Sequence, residues 1–339
     1  MNLETLNKYK EDGLLRCQTH PTLPLTIWNY TEKVQYESLW DEVTISCRGL
    51  VTDESGKIVA RPFKKFFNME EDKHTPTSEF DVYEKMDGSL IIVFWYDGGW
   101  VVASRGSFTS EQAVAASKIF FDKLDHNFSI GITYLFEFTA NWNRIVVDYG
   151  DVDNLTLLGA IRTDDETEAT YEQLEMIARG ANCDVVKRYD GIKDYSTLKG
   201  IIKDNQEGFV VRFSNGDRMK VKGEEYLRLH KIMTEVSTTG IWEALKNGDD
   251  ISALLKDVPD EFYTKIEEYV NELKIQYMMI EDQYIQIYAL ITMFNDNGRA
   301  EFASRAKKFK YPQLLFKMLD GSDYSETIWR ILKPEWRKL

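Results

Sequence analysis

Cysteine is scarce: Cys17, Cys47 and Cys183 are the three in 339 residues, far apart and in no metal-ligand spacing. That argues against a disulfide scaffold and for free thiols in a reducing compartment. Long apolar runs are missing. None approaches the roughly 20 residues of a membrane span, and Met1-Asn2-Leu3-Glu4-Thr5 has no apolar signal core. The expectation is a cytoplasmic enzyme without a membrane partner. Positive charge is in deficit. A net charge of −14 argues against broad coating of nucleic acid, which needs a basic surface, and leaves room only for a local basic groove. There is no internal repeat and no low-complexity segment. What is present is an ordinary globular composition, 43% hydrophobic and 13% aromatic, of a length that predicts two domains.

Most of the pattern up to about residue 230 is strand-like. Met1–Asp12 places Leu3, Leu6 and Tyr9 at helical spacing. Leu25–Tyr30, Thr44–Thr52 and Ile58–Arg61 read as strands, as do Phe80–Lys85, Leu90–Tyr96 and Trp100–Ser104. Tyr134–Phe138, Asn143–Val147 and Leu155–Ile161 follow. Gly208–Phe213 and Arg218–Val221 make a hairpin over Ser214-Asn215-Gly216-Asp217. Ser110–Lys123 and Tyr171–Arg179 read as helices. After about residue 235 strand signals vanish. Ile266, Tyr269, Val270, Leu273, Tyr277, Ile280, Tyr284, Ile287 and Ile291 fall three or four apart, one long amphipathic helix with a start signal at Pro259-Asp260-Glu261 and a break at Asn297-Gly298. The fold class expected is α+β, with a mostly antiparallel-sheet domain over 1–234 and an all-α domain over 235–339.

The stretch Tyr83-Glu84-Lys85-Met86-Asp87-Gly88-Ser89 reads as a strand, a tight Asp-Gly turn and a second strand. A half-buried lysine can serve as an amine nucleophile, and Asp-Gly-Ser offers N–H groups and a hydroxyl that suit a phosphate. Other charges sit in apolar strand contexts: Arg48 between Cys47 and Gly49, Lys65 before Phe66-Phe67-Asn68, Glu207 before Gly208-Phe209-Val210, and Lys220 and Lys222 on one face of a strand. Any one alone is more simply a solvated charge. Glu137 in Tyr134-Leu135-Phe136-Glu137-Phe138 is different, because a buried carboxylate needs a partner.

In this order the stretches resemble the phage-type RNA ligase 1 family, within the covalent nucleotidyltransferases that include DNA ligases and mRNA-capping enzymes. Lys85-x-Asp87-Gly88 is similar to the nucleophile motif. Phe136-Glu137-Phe138 with Asn143-Arg144-Ile145-Val146 resembles the third motif, Glu207-Gly208-Phe209-Val210 the fourth and Lys220-Val221-Lys222 the fifth. Cys47-Arg48-Gly49 and Arg61-Pro62-x-x-Lys65-Phe66-Phe67-Asn68 are closer to RNA ligase 1 than to the superfamily. Arg105 stands where the family usually has lysine.

The resemblance implies that Lys85 attacks the α-phosphate of ATP, that AMP passes to an RNA 5′-phosphate, and that an RNA 3′-hydroxyl displaces it. It also implies roles. Asp87 and Gly88 belong to the nucleotide loop, Lys220 and Lys222 meet the α-phosphate, and Arg48 and Glu137 lie at the ribose. Phe67 and Val210 sandwich adenine, while Lys65 and Arg105 lie near the phosphates or ribose and Trp28 lines the pocket. Glu207 and Glu137 hold Mg²⁺, or Mn²⁺ in its place. Asp249 and Asp250 resemble an acidic pair that takes a metal, although Asp250 also suits a helix N-cap. The helical tail replaces the strand-rich barrel of DNA ligases and capping enzymes, which favours RNA ends, with a cleaved tRNA as the family-level substrate. Its basic cluster is Arg299, Arg305, Lys307, Lys308 and Lys310. A monomer in a phage-infected host cytoplasm is expected. Two other readings stand beside this one, a GTP-using capping-type transferase and a catalytically inactive RNA-end-binding module.

Overall fold

The structure, a computed structural model, describes residues 2–71, 79–235, 237–251, 260–293 and 298–335. The expected helix start at Pro259 and break at Asn297 lie outside them. The chain divides into two compact units, Met1–Leu227 and Arg228–Leu339.

The first unit is built on three sheets. β1 (Leu15–Thr19), β2 (Leu25–Tyr30), β3 (Arg48–Asp53) and β4 (Ile58–Ala60) form one, in that order. The next strands in the chain are β5 (Phe67–Asn68), β6 (Phe80–Lys85), β7 (Ser89–Tyr96), β8 (Gly99–Ser104), β9 (Ile132–Thr139) and β10 (Asn154–Arg162). They are followed by β11 (Asp184–Val185), β12 (Arg188–Tyr189), β13 (Gly208–Phe213) and β14 (Arg218–Lys222). Their orders are β11-β10-β9-β7-β8 and β12-β6-β13-β14-β5. All pairs are antiparallel except β10–β11 and β14–β5.

Alternation along the strands builds the cores of the first unit. One face of the β7–β10 sheet (Ile91, Val93, Phe136, Leu155) packs on the helices Glu111–Lys123 and Tyr171–Ala181 through Ala116, Phe120, Leu174 and Ala178. Its other face (Ile92, Phe94, Leu135) meets Leu25, Ile27, Val51 and Ala60 of the first sheet. Behind β6, β13 and β14, Val82, Phe209, Val211, Met219 and Val221 close over Leu198.

Three local expectations are corrected. The expected strand Thr44–Thr52 begins only at Arg48, because Thr44–Ser46 belong to the helix Glu42–Ser46, which Asp41 and Thr44 start with a reciprocal capping box. Asn143–Val147 is not a strand. After a 3-10 turn at Asn141–Asn143 its backbone N–H groups turn inward. The Asp87-Gly88 pair does not close a hairpin, for β6 and β7 belong to different sheets and the pair carries the chain between them.

The second unit is helical. The helix Asp260–Met293 presents Ile266, Val270 and Leu273 to Ile241 and Trp242, and Tyr284 and Ile291 to Phe302, Leu314, Leu315 and Ile328. The three-and-four spacing of its apolar residues puts them on one stripe, which these two clusters bury.

Candidate active site

The register of β6, β13 and β14 sets out one wall of the site. Directly paired residues share a face. Lys85, Gly208 and Lys222 therefore make one row, and Tyr83, Val210 and Lys220 the next, with Asn68 of β5 beyond Lys220. The opposite face is the buried apolar one. The Lys85 Nζ donates to Glu207 Oε2 at 2.7 Å, and Lys222 Nζ lies 2.8 Å from Oε1. Glu207 is 3% exposed. Burial alone would raise its carboxyl, but the two ammonium groups outweigh that and hold it below its ordinary value.

Asp87 anchors the crossover between β6 and β7. Its Oδ2 accepts the Val146 and Val147 N–H groups at 2.8 and 2.9 Å, and its Oδ1 accepts the Tyr226 hydroxyl at 2.8 Å. The Asp87 N–H donates to the Tyr149 oxygen at 2.8 Å. Those donors come from an apolar-looking stretch and from a tyrosine 139 positions away, a pairing no local pattern shows. Gly88 is required by a close approach and not by a turn: a Cβ there would sit 2.4 Å from the Phe138 carbonyl oxygen.

Glu137 comes from β9, opposite Leu90 of β7. Burial pushes its carboxyl up to about 8, helped by the charges of Glu207 and Asp87 and opposed by Lys85 and Arg48. The folded protein thus keeps a proton that the unfolded chain releases between 4.5 and about 8. This group's contribution to stability is present below that window and lost as pH rises through it. Glu137→Gln mimics the protonated form. Without nucleotide, its melting temperature relative to wild type should climb from pH 5 to pH 9. A difference that is flat with pH would contradict the assignment.

Arg48 opens β3 opposite Asn29 of β2. Burial and then the charge of Arg105 lower its guanidinium, while Tyr30 and Glu137 pull the other way. Gly49 (φ +99°) lets β3 press on the neighbouring chain, since a Cβ would meet Ile92 Cδ1 at 2.7 Å and the Arg105 carbonyl oxygen at 2.8 Å. Lys220 is brought down to about 7 by burial and by Lys65, Lys85, Lys222 and Arg48. Lys65 is lowered by burial, with Arg48, Arg105 and Lys222 adding to the effect and Glu71 opposing it. Six cationic side chains, Lys65, Lys85, Lys220, Lys222, Arg48 and Arg105, therefore outnumber the carboxylates of Glu71, Asp87, Glu137 and Glu207 around them, a surplus that suits a polyanion.

The aromatics engage the site's cations. The Phe67 ring is engaged by the Lys65 Nζ at 4.3 Å and by Trp40 edge-on at 5.3 Å. Phe66 has Arg48 at 5.9 Å and Lys220 at 5.7 Å from its ring centre. Val210 is partly exposed between Tyr83 and Lys220. Trp28 is 2% exposed, packed with Leu6, Leu15, Cys47 and Leu50, and its indole N–H donates to Thr52 Oγ1 at 3.0 Å. Strand alternation turns the next residue, Asn29, toward Arg105 in its place. Sequence reasoning missed Asn29, Trp40, Phe66, Tyr149 and Tyr226. Only Phe66 and Asn29 carried a signal, as neighbours of motif residues.

Asp249 and Asp250 are exposed in the second unit, just past Gly248, the left-handed cap of helix Thr238–Asn247. Among the described residues no group of three or more His, Cys, Asp or Glu is placed to hold a metal.

Lys85, Lys220, Lys222 and Glu207 share one wall, with the part-buried Glu137 of β9 and Arg48 of β3 contributed by the other two sheets. The profile of the family described as RNA ligase matches residues 46–235, more than half of the 339. The chain belongs to the phage-type RNA ligase 1 family. It is 28% identical over 299 residues to a protein of Autographa californica nuclear polyhedrosis virus provisionally named a bifunctional polynucleotide kinase/RNA ligase. That match takes in 75% of this chain and spans 42% of the viral protein's length. An RNA ligase of Rhodothermus phage RM378 is 20% identical over 362 residues, 82% of each chain. A solved mutant of the Naegleria gruberi RNA ligase with ATP and Mn is 15% identical over 45% of this chain and 52% of that one, with a TM-score of 0.36. Among the described residues no helix is long and apolar enough to cross a membrane.

Proposed function

We propose that the protein is an ATP-dependent RNA ligase that joins 5′-phosphate and 3′-hydroxyl ends. The observation that carries this is the pairing of Lys85 and Lys222 on the single buried carboxylate of Glu207, with Lys220, Lys65 and Arg48 close enough to act on one another's charge. The Lys85 ammonium gives up a proton to solvent, the free amine attacks the α-phosphorus of ATP, a P–N bond forms as the bond to the bridging oxygen breaks, and pyrophosphate leaves. AMP then passes to the RNA 5′-phosphate oxygen, and a 3′-hydroxyl displaces it to seal the strand.

Phosphoryl transfer asks mainly for positioning and charge neutralisation. Lys222 and Lys220 lie on the Lys85 face, in reach of one phosphate. A triphosphate would favour the charged form of Lys220, which burial and the neighbouring cations disfavour. Arg48 and Glu137 hold the ribose, Lys65 and Arg105 neutralise phosphate oxygens, and Phe66 and Val210 bound the base. Glu137 and Glu207 fit a divalent metal, because the Glu207 charge raises the neighbouring Glu137 carboxyl and a hard cation would relieve that repulsion. Magnesium, or manganese in its place, would supply further neutralisation of phosphate charge there. Residues 1–234 carry the chemistry in this reading. Residues 235–339 choose the RNA, a cleaved tRNA being the family-level substrate. The reading places the reaction in a host-cell cytoplasm.

The test is to incubate the protein with magnesium and ATP or GTP and weigh it. An AMP adduct on Lys85 from ATP is expected. A GMP adduct alone makes it a capping-type enzyme, and no adduct with either makes it an RNA-end-binding module.

A further inference from the structure

Among the described residues only two buried side-chain polar atoms lack a hydrogen-bond partner, and both are amide oxygens on strands that bear the site: Asn29 Oδ1 and Asn68 Oδ1. Asn68 lies in register with Lys220, and its Nδ2 donates to Glu71 at 2.8 Å. Asn29 is the sharper case. It is 4% exposed, stands opposite Arg48 across β2 and β3, and donates from Nδ2 to the Arg105 carbonyl at 3.0 Å. That donation fixes the amide's orientation, since a flipped amide would set oxygen against oxygen. The free acceptor is therefore a property of the fold. A buried acceptor left unmade is costly, and native proteins keep few. Here the surrounding strands supply cations for phosphates but no donor for this oxygen.

We infer that the Asn29 amide oxygen reads the bound nucleotide, accepting a hydrogen bond from a neutral donor on its nucleoside, either a ribose hydroxyl or the exocyclic amino group of adenine. Neutral donors fit because the oxygen is uncharged and buried, whereas triphosphate oxygens, which only accept, would repel it. The amino group would also give preference for adenine, since guanine presents an oxygen at the same ring position. Asn29 is then a positioning residue for the nucleotide, set on the first sheet while the nucleophile comes from another. This inference rests on the ATP reading above.

The test removes the donor from the nucleotide and the acceptor from the protein, singly and together. The rate of adduct formation at sub-saturating nucleotide is measured for ATP, 2′-deoxy-ATP, 3′-deoxy-ATP and the triphosphate of purine riboside, which lacks the amino group. Wild type and Asn29→Ala are compared. The expected result is that one analogue loses about tenfold with wild type, that ATP loses about as much with Asn29→Ala, and that the two changes together cost no more than either. Which analogue behaves so tells ribose from base. A role confined to packing would slow all four nucleotides alike and leave each analogue's ratio to ATP unchanged in the variant; that outcome overturns the inference. So does a wild type that uses all four within about twofold, a measurement that needs no variant. Asn29→Ser, whose hydroxyl still offers a donor toward Arg105, replaces the alanine variant if that one does not fold. A wild type that forms no adduct with ATP at all defeats the ATP reading itself, and this inference with it.

Discussion

Lys85→Ala should form no covalent nucleotide adduct and should lose ATP-driven sealing by at least about four orders of magnitude, the scale of removing a nucleophile that forms the intermediate. The variant should still fold. Lys85 is 20% exposed, and without it Glu207 keeps the Lys222 ammonium at 2.8 Å, so no buried charge is stranded. RNA that already carries a 5′-AMP should still be joined to a 3′-hydroxyl, because that step needs the pocket and its cations but not the amine. Mass spectrometry of the protein and gel analysis of pre-activated RNA separate the two steps. Sealing from ATP at the wild-type rate would sink the mechanism.

Asp87→Ala should act on the fold before it acts on the chemistry. It strands two backbone N–H groups and a tyrosine hydroxyl that now share one buried carboxylate. At about 1.5–3 kcal/mol for each bond to a charged group, with incomplete additivity, the loss should be roughly 3–5 kcal/mol. That is enough to lower the melting temperature by roughly 10 °C. Adduct formation should fall with it, since the crossover that carries Lys85 between the sheets loses its anchor. Asp87→Asn keeps one acceptor and should lose less. The two measurements are the denaturation midpoint and the adduct rate. A ligand role for Asp87 would instead give wild-type stability with weakened nucleotide binding, and that result would refute the anchoring assignment.

Much of this site was legible as short local patterns. Lys85, Glu207, Lys220 and Lys222 each sit in an apolar strand segment, and a charge in such a segment either is paired or faces a polar pocket. Period-two alternation put Lys220 and Lys222 on one face before any fold was known. The long second-unit helix was legible for the same reason, because its spacing repeats over many turns. Where the pattern was short, it misled. Thr44-Ile45-Ser46 looks like a strand until Asp41 caps it into a helix. Ile145-Val146-Val147 looks like a strand because it is apolar, yet its N–H groups serve Asp87.

The sequence by itself determined the candidate site of the first unit, since Lys85, Glu137, Glu207, Lys220 and Lys222 are fixed by residue type and spacing along single strands. Only the tertiary structure decided which strands become neighbours. It placed β6 beside β13, so that Lys85 reaches Glu207 across 122 positions, and it sent β6 and β7 into different sheets, so that Asp-Gly became a bridge and not a turn. It also turned Trp28 into the core and Asn29 toward Arg105. The physical reason is the same in each case. Local pattern reports which face of a strand is polar, whereas what that face meets depends on contacts between segments far apart in the chain, which long-range packing selects and no window of sequence contains.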